Sequence, residues 1–124
     1  MPKQAKKILL IEDDNFLSKV LVERLEDDGF IVNIAGNGAE GIEKTTIFNP
    51  DLILLDMILP KMNGFDVLKK LKQDIATKNI PVIIVSNLGQ DMDVELGKKL
   101  GAVDYLVKSN YSLRSIVEKI YLHL

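Results

Sequence analysis

Five short apolar runs, each followed by a longer stretch of helical period, constrain this chain more than any other feature. The runs lie at residues 7–12 (KILLIE), 30–35 (FIVNIA), 51–56 (DLILLD), 80–85 (IPVIIV) and 103–107 (VDYLV). Runs this short, rich in Ile, Leu and Val and bounded by turn residues, read as strands. In the third, Leu52, Ile53, Leu54 and Leu55 stand unbroken between two aspartates, the pattern of a strand buried on both faces. Pro81 falls near the start of the fourth, where a missing backbone donor is tolerated.

The intervening segments repeat every three or four residues. Residues 15–28 place Leu17, Val20, Leu21 and Leu25 on one face, with Gly29 as a stop. Residues 39–48 carry Ile42 and Thr46 on one side, and Asn49-Pro50 ends that helix. After a loop at 57–63 containing Pro60, residues 64–75 turn Val67, Leu68, Leu71 and Ile75 inward. Residues 89–100 offer only Val94, Gly97 and Leu100, the thinnest stripe of the five. Leu113, Ile116, Val117, Ile120 and Leu124 form the clearest amphipathic pattern. Strands alternating with helices predict an α/β doubly wound fold, with parallel strands, right-handed crossovers and helices on both faces. No repeat, low-complexity tract or linker interrupts the pattern, so residues 1–124 are expected to form one domain.

In such sheets ligands bind beyond the carboxyl ends of the strands, where the strand order reverses. The first run ends in Glu12-Asp13-Asp14 and the third in Asp56, while the fourth leads into Ser86 and the fifth into Lys108. The fold therefore predicts one crowded rim. Gathered carboxylates repel one another and raise their own pKa values, and a divalent cation relieves this. All-oxygen ligands suit magnesium or manganese. A carboxylate beside such an ion is a competent nucleophile towards phosphorus, forming an aspartyl phosphate. The transferred group spreads charge over three oxygens, so catalysis is mostly positioning and neutralisation. Lys108 supplies a point charge and Ser86 a hydroxyl donor.

Each residue also has a plainer reading. Asp13 or Asp14 alone is a helix cap, and Asp56 alone a turn residue. Ser86 alone is a loop hydroxyl and Lys108 a solvated lysine. Their joint placement at four strand ends is the signal.

Composition removes competing classes. With 16 basic and 18 acidic residues the chain carries −2, which argues against a nucleic-acid surface. There is no cysteine, and the single histidine, His123, is expected on the surface, so triads and thiolate or histidine metal sites lack support. The start, MPKQAKK, is basic, but the apolar run at 8–11 is too short for a secretory signal. No stretch approaches the roughly 18 apolar residues of a membrane helix. A cytoplasmic chain without a membrane partner is expected.

At residues 8–14 (ILLIEDD), 54–64 (LLDMILPKMNG), 82–86 (VIIVS) and 101–108 (GAVDYLVK) the chain closely resembles response-regulator receiver domains of two-component signalling. The resemblance covers essentially the whole length. It implies a flavodoxin-like five-stranded sheet of order 2-1-3-4-5. It implies Asp56 as phosphoacceptor, with Glu12, Asp13, Asp56 and the Ile58 backbone carbonyl holding Mg2+ (or Mn2+). Ser86 and Lys108 contact the phosphoryl group, and Tyr105 is the aromatic switch that turns inward as Ser86 is drawn to the phosphate. The donor is a histidine kinase or histidine phosphotransfer protein, and a downstream target is met through the face at 89–124.

Four positions depart from the usual pattern. Glu12 replaces the commoner aspartate, and Asn63 stands where aspartate is usual. Asn87 follows the hydroxyl residue where a smaller one is usual, which narrows access for the donor. Ser109 replaces a proline whose peptide bond is often cis; a cis bond before serine costs about 2.5–4 kcal/mol, and the sequence leaves the isomer of this peptide open. Two further positions bear on signal lifetime. The resemblance implies that Ile58 and Leu88 flank the path of the water that removes phosphate; both are aliphatic, so a long-lived aspartyl phosphate is expected.

Three other functions share parts of this pattern. A flavodoxin-type electron carrier needs a hydroxyl- and glycine-rich phosphate loop after the first strand, where this chain has Glu12-Asp13-Asp14. An aspartyl phosphatase needs a second aspartate two positions after the nucleophile, where this chain has Ile58. A pseudo-receiver would keep the fold without the chemistry, yet the acidic pair, acceptor, hydroxyl and lysine are all present. The expectation is therefore a phosphoaccepting signalling domain that promotes its own magnesium-dependent phosphorylation and dephosphorylation, rather than a turnover enzyme.

Overall fold

Apolar side chains fill both faces of the central strands, and this places the sheet in the middle of a three-layer structure. The computed structural model describes residues 5–124; the start of the chain, at 1–4, lies outside them. In chain order the elements are β1 (Lys7–Ile11), α1 (Asn15–Asp27), β2 (Ile31–Ala35), α2 (Gly38–Phe48), β3 (Leu52–Leu55), α3 (Gly64–Gln73), β4 (Val82–Ser86), α4 (Asp91–Lys99), β5 (Asp104–Val107) and α5 (Leu113–Leu122). A 3-10 turn at Lys108–Asn110 joins the last two. The strands pair in parallel in the order β2-β1-β3-β4-β5, the flavodoxin-like order that the resemblance implies.

Alternate residues along each strand feed two separate cores. Leu9, Ile11, Ile53, Leu55, Val82 and Ile84 pack under Val67, Leu68 and Leu71 of α3, with Ile42 of α2 and Val94 of α4 at the edges. Ile8, Leu10, Leu52, Leu54, Ile83, Val85 and Leu106 pack against Leu21 and Leu25 of α1 and Ile116, Val117 and Ile120 of α5. Each fully buried Leu or Ile contributes about 1.5–3 kcal/mol relative to exposure, which makes the sheet a rigid base for its loops.

Several expectations need correction. Ile75 is 83% exposed, because α3 ends at Gln73. The Asp74 carboxylate accepts from the Ala76 N–H at 2.9 Å and bends the chain, and Thr77 goes inside instead, its hydroxyl donating to the Leu71 carbonyl at 2.6 Å. On α2 the buried line is Gly38, Gly41 and Thr45, and Thr46 is exposed. Thr45 satisfies its own hydroxyl by donating to the Gly41 carbonyl at 2.7 Å, so burial leaves no unpaired donor. Leu17 and Val20 are half-buried. His123 is also half-buried, with Nε2 3.2 Å from an Asp104 carboxylate oxygen. Among the described residues no peptide bond is cis, so the Lys108–Ser109 bond is trans. No helix among the described residues is long and apolar enough to cross a membrane.

Candidate functional site

Register explains why the acidic residues meet. Ile11 of β1 and Leu55 of β3 are partners across the ladder, so Glu12 and Asp56 leave the sheet side by side. The Asp56 N–H donates to the Ile11 carbonyl at 3.0 Å, extending the ladder by one step. On the other half of the sheet Ser86 pairs with Val107, and Lys108 is the next residue. Gly64 at the start of α3 lies so close to the end of β3 that an added Cβ would strike the Asp56 carbonyl and Met57. Only glycine allows that approach, which pins the helix behind the carboxylate.

The two aspartates after Glu12 divide their work. Asp14 is the cap of α1, its Oδ1 accepting from the Phe16 and Leu17 N–H groups at 3.0 and 3.2 Å. That leaves Asp13 free to face the rim. Ligand oxygens of Glu12, Asp13 and Asp56 lie within 4.8 Å of one another. The Lys108 ammonium bridges the two buried members, 2.8 Å from Glu12 Oε1 and 2.9 Å from Asp56 Oδ2. The Ile58 N–H donates to Asp56 Oδ1 at 3.1 Å, and the Asp14 N–H donates to Glu12 Oε2 at 3.2 Å.

The two buried carboxylates, Glu12 and Asp56, shift in opposite directions. Burial pushes Glu12 up to about 7; the Lys108 bond opposes this and Asp56 adds to it. Asp56 goes the other way. Burial raises it, but the Ser86 hydroxyl, Glu12, the Ile58 N–H and Lys108 together hold it below the ordinary aspartate value. Lys108 loses hydration by burial, yet the bonds to Glu12 and Asp56 hold it above the usual lysine value. The rim thus contains an ionised Asp56, a fixed ammonium and a second carboxyl poised near neutrality.

Ser86 is fully buried at the end of β4, and its Oγ accepts from the Leu88 N–H at 3.2 Å. Tyr105 is 5% exposed, so its ring lies inward, with the hydroxyl donating to the Leu88 carbonyl. One residue, Leu88, therefore joins Ser86 to Tyr105 through its two backbone groups. Residue spacing carried no signal for this link, because it runs through the main chain. Asn87 is exposed and lines a groove of about 430 Å³ beside Lys108, with Phe16 and Tyr111 on its walls. Ile58 is 54% exposed at the mouth of the site.

A family model, the response regulator receiver domain, matches residues 8–121. The chain belongs to that family. This receiver is 42% identical over 114 residues to the transcriptional regulatory protein CpxR of Escherichia coli (strain K12), covering 92% of this chain and 47% of that one. It is 41% identical over 102 residues to the probable transcriptional regulator ycf29 of Pyropia yezoensis, covering 82% of this chain and 46% of that one. The receiver spans about half the length of these curated relatives. Among solved structures it matches the CheY-like receiver domain protein of Methanospirillum hungatei JF-1 with a TM-score of 0.89 and 28% identity, over 96% of this chain and 93% of that one. It also matches the BeF3-activated receiver domain of Klebsiella pneumoniae RstA, with a TM-score of 0.87 and 26% identity, over 95% and 97% of the two chains. The chain is thus a receiver domain of two-component signalling.

Proposed function

We propose that this receiver takes a phosphoryl group on Asp56 from the phosphohistidine of a histidine kinase or phosphotransfer protein, with magnesium. Phosphorylation then alters a partner-binding face built from residues 89–124. The observation that carries this reading is the Lys108 ammonium bridging two buried carboxylates, at 2.8 and 2.9 Å, beside a third.

The residues fit a small hard cation. Every donor is oxygen, and three carboxylates face a single ammonium. Glu12, Asp13 and Asp56 would hold magnesium or manganese together with the Ile58 backbone carbonyl. When bound, the ion supplies positive charge against the phosphoryl oxygens.

The chain's own groups do the rest. A carboxylate oxygen of Asp56 forms the bond to phosphorus as the donor's phosphorus–nitrogen bond breaks. The electron pair goes to the imidazole, which leaves neutral because its other ring nitrogen carries a proton. Low pKa keeps Asp56 ionised for the attack, and Lys108 stays charged to meet a phosphoryl oxygen. Ser86 accepts from Leu88 but retains its own proton to donate to a second phosphoryl oxygen. A movement of Ser86 then pulls on Leu88 and so on Tyr105, the switch residue.

The receiver accordingly promotes its own phosphorylation and dephosphorylation without turning over a substrate. Residues 1–124 act as one cytoplasmic module through protein contacts, without binding nucleic acid or membrane directly. Intact mass after incubation with acetyl phosphate and magnesium tests the core of this. One phosphoryl adduct per chain is expected in the wild type and none in Asp56→Asn; an adduct that survives the substitution shows the acceptor is elsewhere.

A further inference from the structure

α4 has one fully buried residue, Gly97, with the half-buried Val94 packed at the edge of the same core. Its larger apolar side chains do not anchor it: Met92 is 79% and Leu96 42% exposed. A methyl group built on Gly97 would lie 2.8 Å from Cδ2 and 3.0 Å from Cε2 of Tyr105, and 2.7 Å from Cδ1 of Ile84. Carbon atoms at rest sit about 3.5–4.0 Å apart, so something must yield. The two neighbours yield differently. Ile84 Cδ1 is the end of a flexible chain and rotates aside. The Tyr105 ring is rigid and yields by turning about χ2 or χ1, and a swing about χ1 takes it out from under the helix.

The ring is held at three places. Ile84 and Gly97 flank it, and its hydroxyl donates to the Leu88 carbonyl in the loop that leads into α4. The same residue's N–H bonds Ser86 Oγ at 3.2 Å. Burial, with Asp93 and Asp56 adding, pushes the Tyr105 hydroxyl up to about 12, as a sheltered phenol requires.

We propose that Gly97 is a positioning residue for the signal: its missing side chain makes the slot that admits the Tyr105 ring, and this contact ties the seat of α4 to the ring's rotamer. The proposal rests on Tyr105 being the switch. With the ring inward, α4 sits on it through Gly97. With the ring outward, Gly97 loses one of the two side chains it rests on and keeps only Ile84. α4 therefore responds to the tyrosine directly rather than through the loop alone.

The test needs no phosphorylation, so its failure is separable from failure of the phosphoacceptor assignment. The chain has three tyrosines and is labelled with 3-fluorotyrosine, the Tyr105 resonance being identified by its loss in Tyr105→Phe. Gly97→Ala is expected to move that resonance towards the free amino-acid position and to raise its H2O/D2O isotope shift to that of an exposed ring. In urea unfolding, Gly97→Ala should lower the folded-to-unfolded ratio about tenfold, as overpacking does. In a Tyr105→Ala background the same change should leave the ratio unaltered or raise it several-fold, because alanine favours helix over glycine. If Gly97→Ala fails to fold alone but folds together with Tyr105→Ala, the proposal stands. A fluorine signal that stays buried, an equal loss in both backgrounds, or failure to fold in both overturns it.

Discussion

Helices α3 and α4 cover the same face of the sheet but are held to it in opposite ways. α3 buries Gly64, Val67, Leu68 and Leu71, whereas α4 buries Gly97 alone. The first follows the strand that leads to Asp56, the second the strand that ends at Ser86. The carboxylate rim therefore stands on a part of the molecule with little freedom to move. The helix beyond Ser86 has few buried contacts to lose, which is the property expected of a segment that changes place on signalling.

The contrast can be broken most severely at the core. Leu68→Ala removes a fully buried side chain from α3 and should cost about 2–5 kcal/mol in urea unfolding. Leu96→Ala on α4, where the side chain is 42% exposed, should stay within about 0.5 kcal/mol of the wild type. Comparable losses would mean that α4 is anchored as firmly as α3.

A second prediction concerns the mouth between the two helices. Ile58 and Leu88 bring no group able to orient water, so the aspartyl phosphate should be long-lived. Exchanging them together, Ile58→Asn with Leu88→Glu, should speed hydrolysis about 100-fold, the low end for a positioned proton acceptor. The decay of the phosphorylated chain in magnesium, after removal of donor, measures this. A double variant that decays no faster assigns control of the lifetime to other groups.

The fixed half of the site also predicts a pH effect. Glu12 is raised from 4.5 to about 7, so the native chain keeps a proton that the unfolded chain has released across that window. This group's contribution to stability therefore falls as pH rises from about 4.5 to 7 in metal-free buffer. Magnesium needs the carboxylate, so its affinity should climb up to about tenfold per pH unit below 7 and level off above. Calorimetric titration across pH 5.5–8 checks the slope, which Glu12→Gln should flatten.

Much of this was legible in the residues. Continuous apolar runs located β1, β3 and β4, because a strand covered on both faces leaves few alternatives, while the edge strands β2 and β5 were legible despite Asn33 and Asp104 within them. The gathering of Glu12, Asp13, Asp56 and Lys108 at one rim was legible too, since strand ends of a parallel sheet converge by topology. The helix ends were less so. Side-chain turns decided them, as at Asp74, where apolar spacing pointed through Ile75 but a carboxylate bond to the Ala76 N–H stopped the helix. Residue type alone left Asp13 and Asp14 equivalent; the resemblance chose Asp13 for the metal, and the structure uses Asp14 as the cap of α1. The fall in the Asp56 pKa came from its Ser86, Glu12, Ile58 and Lys108 partners, whereas counting charges pointed upward. The Gly97 slot was visible only as a weakness in a helical stripe, since spacing shows that a position lacks a side chain but not what fills the space.

The most direct measurement is amide hydrogen exchange with and without beryllofluoride and magnesium, compared helix by helix. The predicted result is a change in exchange concentrated in α4, β5 and α5, with the amides of α3 unaltered. An unchanged pattern across residues 89–124, or a change in α3 as large as in α4, would contradict the division between a fixed chemical rim and a loosely seated responding helix.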